Sequence, residues 1–400
     1  MLKLNCVTEL LVKDRYLMNE RAGKFVFTPE GYRSFIPKEL PPEPPIKYDD
    51  ELHLLLSKAD RDLARLDGIT SVLPNPDLFI AMYVKKEALL SSQIEGTQAS
   101  LEGVLEFEAD LVPKEDISEV KEVVNYIKAL NYGIERLVET SMSLDLIKEI
   151  HKTLLEGTRG DGLNSGNFKI LQNYIGTPGA SIREAIFVPP TPAITIPAMQ
   201  ALERFLKEKD NIPPLIKIGM IHAQFETIHP FLDGNGRMGR LIITFYLVWK
   251  EILSKPLLYL SFYLKNNRSE YYDLLMKVRT EGAWEEWLKF FLRGISETSQ
   301  EAVNTAKEII KLKDDMTNKV YENSISSIHA IRLINLLFDR PLISSKDIAD
   351  RLNISSVTAN NLVGRFEEIG ILNEITGKKR YKMYLFKEYV DIISRGTNII

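Results

Sequence analysis

Cysteine is nearly absent from this chain: Cys6 is the single one in 400 residues. No intrachain disulfide can form, and zinc or redox sites built on cysteine are excluded, which fits a reducing cytoplasm. Long apolar runs are also lacking. Hydrophobic residues make up 44% of the chain and charged residues 26%, yet nothing approaches the roughly 20 uninterrupted apolar residues of a membrane helix, so no membrane partner is expected. Near the start, charges such as Lys3, Glu9 and Lys13 interrupt the apolar residues before a signal-peptide core of about 7 to 15 residues can form, and export by that route is not expected. Neither sign of charge dominates. A net charge of −4 argues against wholesale coating of nucleic acid and leaves room for one locally basic module. Internal repeats and low-complexity tracts are missing too. The length excludes a single ordinary core, because cores stop growing near about 250 to 300 residues. Two or three domains are expected.

What is present is mostly helical periodicity, so the expected fold is mainly α. Residues 36–46 hold five prolines and read as an extended, rigid strap between an N-terminal arm and the body. Beyond it, apolar residues recur at spacings of three and four in Leu52, Leu55, Ala59, Leu63 and Leu66, then in Leu78, Met82, Val84 and Leu89. The second of these helices is expected to start behind Pro76-Asp77, run to Ile94 and be capped by Gly96. Helical spacing continues over 117–157. It breaks over 163–190, where two short β-rich runs flank a Gly/Pro turn and suggest a hairpin. Helices follow at 193–208, at 213–228 and again after 240, the last apolar nearly all round and so the expected central helix. Residues 300–322 look like a charged connecting helix. Helices over 328–338, 345–352 and 357–369, then a hairpin tipped by Gly377, make a helix-turn-helix with a wing.

The chemistry concentrates in the loop His229-Pro-Phe-Leu-Asp-Gly-Asn-Gly-Arg-Met-Gly-Arg240. Gly234 to Gly239 satisfies the string G-x-G-x-x-G, but a dinucleotide fold needs a strand before it, and Ile221 to Ile228 has helical spacing. The segment instead offers a glycine-rich turn opening a helix, where backbone N–H groups and the positive end of the helix dipole converge on an anion such as phosphate. Gly234 and Gly236 let the backbone approach phosphate oxygens, and Asn235 could add a side-chain donor. Arg237 and Arg240, three apart, project from one side of the first turn, and each can fork onto phosphate. Asp233 stands where a Mg²⁺ ligand sits beside a polyphosphate. His229 is a neutral imidazole able to take a proton from an attacking hydroxyl.

This loop resembles the Fic family motif His-Pro-Phe-x-Asp/Glu-Gly-Asn-Gly-Arg-x-x-Arg at every fixed position. The resemblance implies a Fic-type helical core with a small β-hairpin flap, and AMP transfer from Mg-ATP to a Ser, Thr or Tyr hydroxyl of a protein. It implies His229 as base, Asp233 on magnesium, and nucleotide contacts from Gly234, Asn235, Gly236, Arg237, Met238, Gly239 and Arg240, with Phe231 as the core anchor. The target would dock along the flap, residues 170–188. Gly166-Asn-Phe-Lys169 is similar to the family's Gly-x-Phe-Arg, with lysine in place of arginine. The stretch from Leu260 resembles the segment near the nucleotide base, making Asn266 a nucleotide contact with Tyr271 or Tyr272 beside it.

Ser91-Ser-Gln-Ile-Glu95-Gly96 resembles the inhibitory motif Ser/Thr-x-x-x-Glu-Gly of some Fic proteins. A glutamate brought next to Arg240 would take that arginine from the γ-phosphate, and the same carboxylate could position water for removing AMP. Residues 326–400 resemble a winged helix-turn-helix, with Lys378-Lys379-Arg380 on the wing. Residues 341–400 carry nine Lys/Arg against seven Asp/Glu, so DNA is only a weakly supported partner. The expected divisions are 1–115, an arm and helical region carrying the inhibitory motif; 116–300, the catalytic core; 301–325, a linker helix; and 326–400. Self-modification and a homodimer stay open. The competing readings are transfer of another phosphoryl-containing group and a DNA-binding regulator with a vestigial Fic domain.

Overall fold

The computed structural model describes residues 21–69, 76–177, 179–325 and 327–398, and only the backbone of 76–79. Cys6, the first twenty residues of the expected arm and the side chain of Leu78 lie outside them. The elements in chain order are β1 (Gly23–Phe27), β2 (Arg33–Pro37), α1 (Asp50–Ile69), α2 (Pro76–Ile94), α3 (Leu101–Glu108), α4 (Ile117–Glu139), α5 (Leu144–Leu155), α6 (Pro192–Lys207), α7 (Pro214–Ile228) and α8 (Asn235–Trp249). There follow α9 (Ser261–Asn266), α10 (Arg268–Glu281), α11 (Trp284–Glu322), α12 (Ile328–Asp339), β3 (Leu342–Ser344), α13 (Ser345–Leu352), α14 (Ser356–Glu368), β4 (Asn373–Glu374), β5 (Met383–Leu385) and α15 (Lys387–Ile393).

The chain falls into two compact units. One holds the residues up to Asp60, 128–250 and 266–296; the other holds 61–127, 251–265 and everything from Glu297 on. Each unit is built from three separate stretches of the chain. The expected linker helix is the latter part of α11, which begins at Trp284 because Trp284, Trp287, Leu288 and Phe291 supply a buried apolar face for its first turns.

In the first unit, α7 is buried over its whole length from Leu215 and α8 from Asn235 to Leu247 except Gly236, as the apolar run after residue 240 predicts. Prolines at the first helical positions start α6 and α7, where the missing N–H is no loss. Ser143 splits the helical stretch 117–157 into α4 and α5 by accepting from Leu146 N at 3.2 Å. The proline-rich strap expected over 36–46 starts inside β2 and has no regular secondary structure beyond Pro37, and Arg21 fastens it by donating to the Pro44 and Pro45 carbonyls while pairing with Glu285 at 2.6 Å.

The hairpin expected over 163–190 is reduced to one antiparallel bridge, Ile175 with Phe187. A capped 3-10 turn at Ile182–Glu184 takes up the backbone groups that a longer ladder would have used. The regular hairpin is β1–β2, with Phe25 opposite Phe35. It was not foreseen. It lies against the flap: Phe35 N donates to Val188 O at 3.0 Å, Ser34 Oγ donates to Pro189 O at 2.8 Å, and Phe25, Phe35 and Phe187 form an aromatic cluster.

In the second unit α2 spans the expected residues, and Gly96 has φ +104°, a conformation costly for other residues. Helices α12, α13 and α14 and the sheet β3-β5-β4 form the winged helix, with Gly377 at φ +63° on the wing. Helices α12 and α15 pack on α2. At the end of α2, Gln93 Nε2 donates to Thr397 O at 2.9 Å. Lys265 Nζ donates to Gln93 Oε1 at 2.7 Å and to Asn398 O at 2.6 Å. No helix among the described residues is long and apolar enough to cross a membrane.

Gly133 of α4 is tightly packed within the first unit, where a Cβ would meet Phe245 Cζ at 2.4 Å and Ile150 Cδ1 at 3.0 Å. Gly133→Ala should therefore destabilise the unit by about 1 to 3 kcal/mol through overpacking, in spite of the better helix propensity of alanine. All three tryptophans (249, 284 and 287) belong to this unit, so urea unfolding followed by tryptophan fluorescence reads the loss directly.

Candidate active site

The loop of interest joins two buried helices and must turn sharply between them. His229 ends α7 in the left-handed region (φ 49°, ψ 61°) with its N–H on Phe225 O, and Pro230 forbids helix continuation. Phe231 is fully buried. It stacks on His151 with centroids 3.6 Å apart and planes 6° apart.

The turn leaves carbonyl oxygens without a helical ladder, and a buried carbonyl needs a donor. Two side chains from the segment after α5 provide them. Lys169 Nζ donates to Ile228 O at 3.2 Å, to His229 O at 3.0 Å and to Asn173 Oδ1 at 2.8 Å. Asn173 Nδ2 donates to His229 O at 3.1 Å and to Phe231 O at 2.7 Å. All three ammonium protons are used. The lysine that departs from the resembled Gly-x-Phe-Arg therefore has a complete set of acceptors. Burial pulls its pKa down to about 7.

Two histidines brace the loop from either side, and their hydrogen bonds fix their tautomers. His151 on α5 donates from Nε2 to Asp233 O at 2.9 Å and accepts Gly166 N–H at Nδ1 at 2.9 Å. His222 on α7 donates from Nδ1 to Gly239 O at 3.1 Å and accepts the Tyr271 hydroxyl at Nε2 at 2.9 Å. Each must be neutral to accept, and burial lowers their pKa values to about 4 and about 3. His229 is lowered to about 3, first by burial and then by the positive Lys169 and Arg279. Its Nδ1 is buried and makes no hydrogen bond, although the Glu226 backbone is near enough to favour the protonated form. The residue as a whole keeps part of its surface in solvent.

Helix α8 starts inside the glycine motif. Gly234 is its cap in the left-handed region (φ 75°), and the first ladder bond runs from Met238 N to Gly234 O at 2.9 Å. The N–H groups of Asn235, Gly236 and Arg237 thus precede the ladder and head the helix. Arg237 and Arg240 are both 2% exposed. Arg237 Nη2 lies 3.8 Å from Asp233 Oδ1, which also accepts Gly234 N–H at 2.6 Å. The Asp233 side chain keeps 29% of its surface exposed.

The sequence matches a model of the Fic/DOC family over residues 141–247, preceded by the Fic/DOC family N-terminal region over 53–135. The chain carries a Fic/DOC domain together with that family's N-terminal region. Residues 331–384 match an HTH DNA binding domain. Among relatives, the protein adenylyltransferase Fic of Drosophila grimshawi is 30% identical over 220 residues, covering 52% of this chain and 41% of that protein. A probable protein adenylyltransferase of Aquifex aeolicus (strain VF5) is 27% identical over 259 residues, 61% of this chain and 72% of that one. The chain thus spans well under half the length of the Drosophila relative. A crystal structure of a Fic family protein from Desulfovibrio desulfuricans G20 superposes with a TM-score of 0.57 at 20% identity, covering 86% of this chain and 97% of that one, and shares the fold.

The Fic loop brings together His229, Asp233, Gly234, Gly236, Arg237 and Arg240 within one unit, but three expected nucleotide contacts are occupied otherwise. The Asn235 side chain turns inward, accepting Phe231 N–H and donating to Phe231 O, both at 2.8 Å; its backbone N–H is what remains for an anion. Met238 is fully buried with its N–H already in the ladder. Gly239 faces α7, where a Cβ would meet Glu226 Oε1 at 2.4 Å. Asn266 ends α9, exposed, and makes no hydrogen bond with the loop. Tyr271 is a buried residue bonded to His222, whereas Tyr272 is 39% exposed. Glu95 lies on the exposed turn just past α2, in the second unit.

Sequence reasoning missed His151, His222, Asn173 and Arg279. Buried Arg279 on α10 donates from Nη2 to Glu226 O at 3.0 Å and from Nε to Thr227 Oγ1 at 3.2 Å, with its guanidinium 4.1 Å above the Phe187 ring. For His222 alone a signal was available, a polar residue inside an otherwise apolar helical stretch.

These histidines predict the acid response of the fold. A histidine whose folded pKa is lowered contributes stability that is full above its unfolded value near 6.5 and is lost as pH falls towards the folded value. The urea midpoint should fall between pH 6.5 and about pH 5, above the range where carboxylates titrate. A flat or rising midpoint in that window would show the histidines to be charged in the fold.

Proposed function

We propose that this chain is a protein adenylyltransferase, transferring AMP from ATP to a side-chain hydroxyl of a protein. The observation that carries the reading is the coincidence, within one loop, of a desolvated neutral imidazole with a helix N-terminus flanked by two buried arginines. The names of the Drosophila and Aquifex relatives support it.

In the proposed reaction His229 takes the proton of the target hydroxyl, whose oxygen attacks the α-phosphorus. The bond from that phosphorus to the oxygen bridging to the β-phosphate breaks, and pyrophosphate leaves. The N–H groups heading α8 and the guanidinium groups of Arg237 and Arg240 would hold the polyphosphate and offset its charge. Bound magnesium would add charge neutralisation, with Asp233 as its protein ligand. One part-exposed carboxylate fits an ion that takes most of its ligands from phosphate and water, and no cluster of three metal-binding side chains exists among the described residues.

Labelled ATP tests the reaction class: α-phosphate label should appear on protein and γ-phosphate label should not, and His229→Ala should lose at least about a hundredfold in rate, the usual scale of general-base catalysis. Label from the γ-position would favour phosphoryl transfer instead. Full activity in His229→Ala would revive the vestigial-domain reading.

The low pKa of His229 has a kinetic sign. Because kcat/KM reports the free enzyme, its acid limb should lie well below pH 6.5, and Lys169→Met should move it upward by removing a positive neighbour while Lys169→Arg keeps it low. A wild-type limb at or above pH 6.5 contradicts this assignment.

The restraint by Glu95 is proposed from its motif, Ser91 to Gly96. Glu95→Gly should raise automodification with ATP severalfold, measured as α-label on the chain itself; no gain over wild type removes the restraint and leaves the transfer reaction standing.

A further inference from the structure

The cavity beside the flap has no place in the chemistry above. It measures about 380 Å³ and lies between the β1–β2 hairpin and residues 182–188, within the first unit. Phe25, Phe187 and Met276 contribute apolar surface, Tyr32 adds a phenol, and Arg33 and Arg183 line it. No carboxylate belongs to the lining.

We propose that this cavity is a substrate subsite that takes an acidic side chain from an extended, partly apolar segment of the target protein. The inference rests on the adenylyltransferase reading, whose target would run along the flap. Charge complementarity decides the class of occupant: two guanidinium groups over an aromatic floor favour a carboxylate on an otherwise apolar segment. Arg183 is exposed and makes no hydrogen bond or ion pair with a described residue, and the Arg33 guanidinium lies 4.6 Å from the centre of the Phe27 ring. Phe27 and Ile186, at 68% and 61% exposed, put apolar surface beside these charges, where a segment alternating apolar and acidic residues would cover it. The volume suits one or two side chains of an extended segment rather than a helix.

The cavity also shares a wall with the catalytic loop. Phe187, which closes the flap bridge, lines the cavity and carries Arg279 over its ring; Arg279 in turn holds Glu226 O, three residues before His229. A segment seated here would therefore lie against the flap that borders the base.

The test uses the full chain and fluorescent synthetic peptides with one serine flanked by alternating leucine and aspartate, compared with peptides carrying asparagine at the aspartate positions. Anisotropy titration should give the aspartate peptide an advantage of about tenfold or more, the scale of one charge-assisted hydrogen bond. Arg183→Gln should reduce that advantage and R33Q/R183Q abolish it, with unfolding midpoints unchanged. Equal affinity for the two peptides, or an advantage that survives in the double variant, overturns the subsite. Transfer of α-label to protein by Glu95→Gly is read in parallel. Label transfer without acid-selective binding removes the subsite and leaves the enzymatic reading. Acid-selective binding without label transfer does the reverse.

Discussion

The carbonyl oxygens of Ile228, His229 and Phe231 emerge from a buried helix end into a turn where no ladder N–H donates to them, and the ammonium of Lys169 and the amide of Asn173 supply the donors. Much of the site follows from that constraint. Held by its carbonyl, His229 can occupy a left-handed conformation that a non-glycine residue otherwise avoids. The turn closes within a few residues because Asn235 clasps Phe231 at both backbone atoms. Helix α8 can then begin with its N-terminus and Arg237 and Arg240 close behind the imidazole.

Burial sets the electrostatics of the loop. Positive groups surround His229, and the two bracing histidines spend one ring nitrogen as donor and the other as acceptor, which only the neutral form allows. Loop geometry and protonation state are thereby linked: charge on His151 would cost it the Gly166 N–H, and charge on His222 would end its acceptance from the Tyr271 hydroxyl, the bonds that fix the two rings under Asp233 O and Gly239 O. His229 is kept neutral first of all by its burial.

Much of this was legible in the sequence because it is local. The spacing of apolar residues gave the bounds of α2, α6 and α7 to within a residue or two, and the winged helix followed from its helical spacing and the turn at Gly377. The loop 229–240 is contiguous, so its chemistry could be read in one line. What stayed hidden depends on partners distant in sequence. His151 acts on residues about eighty positions away, and Arg279 about fifty. Asn235 looks like a phosphate donor until its real partner, the Phe231 backbone, is seen. The flap was over-read as a hairpin because β-rich runs around a turn do not reveal that a 3-10 turn and the neighbouring β2 take part of its backbone pairing.

The end of α2 adds a practical point about how such a chain can be cut. Lys265 and Gln93 donate to the carbonyls of Asn398 and Thr397, past the winged helix, while also bonding each other. Shortening the protein to its Fic region would do more than omit a module. It would strip a buried ammonium and a buried amide of an acceptor each, at the helix end two residues before Glu95. Rates measured on a shortened protein would report a helix end under different tension from the one the intact chain holds.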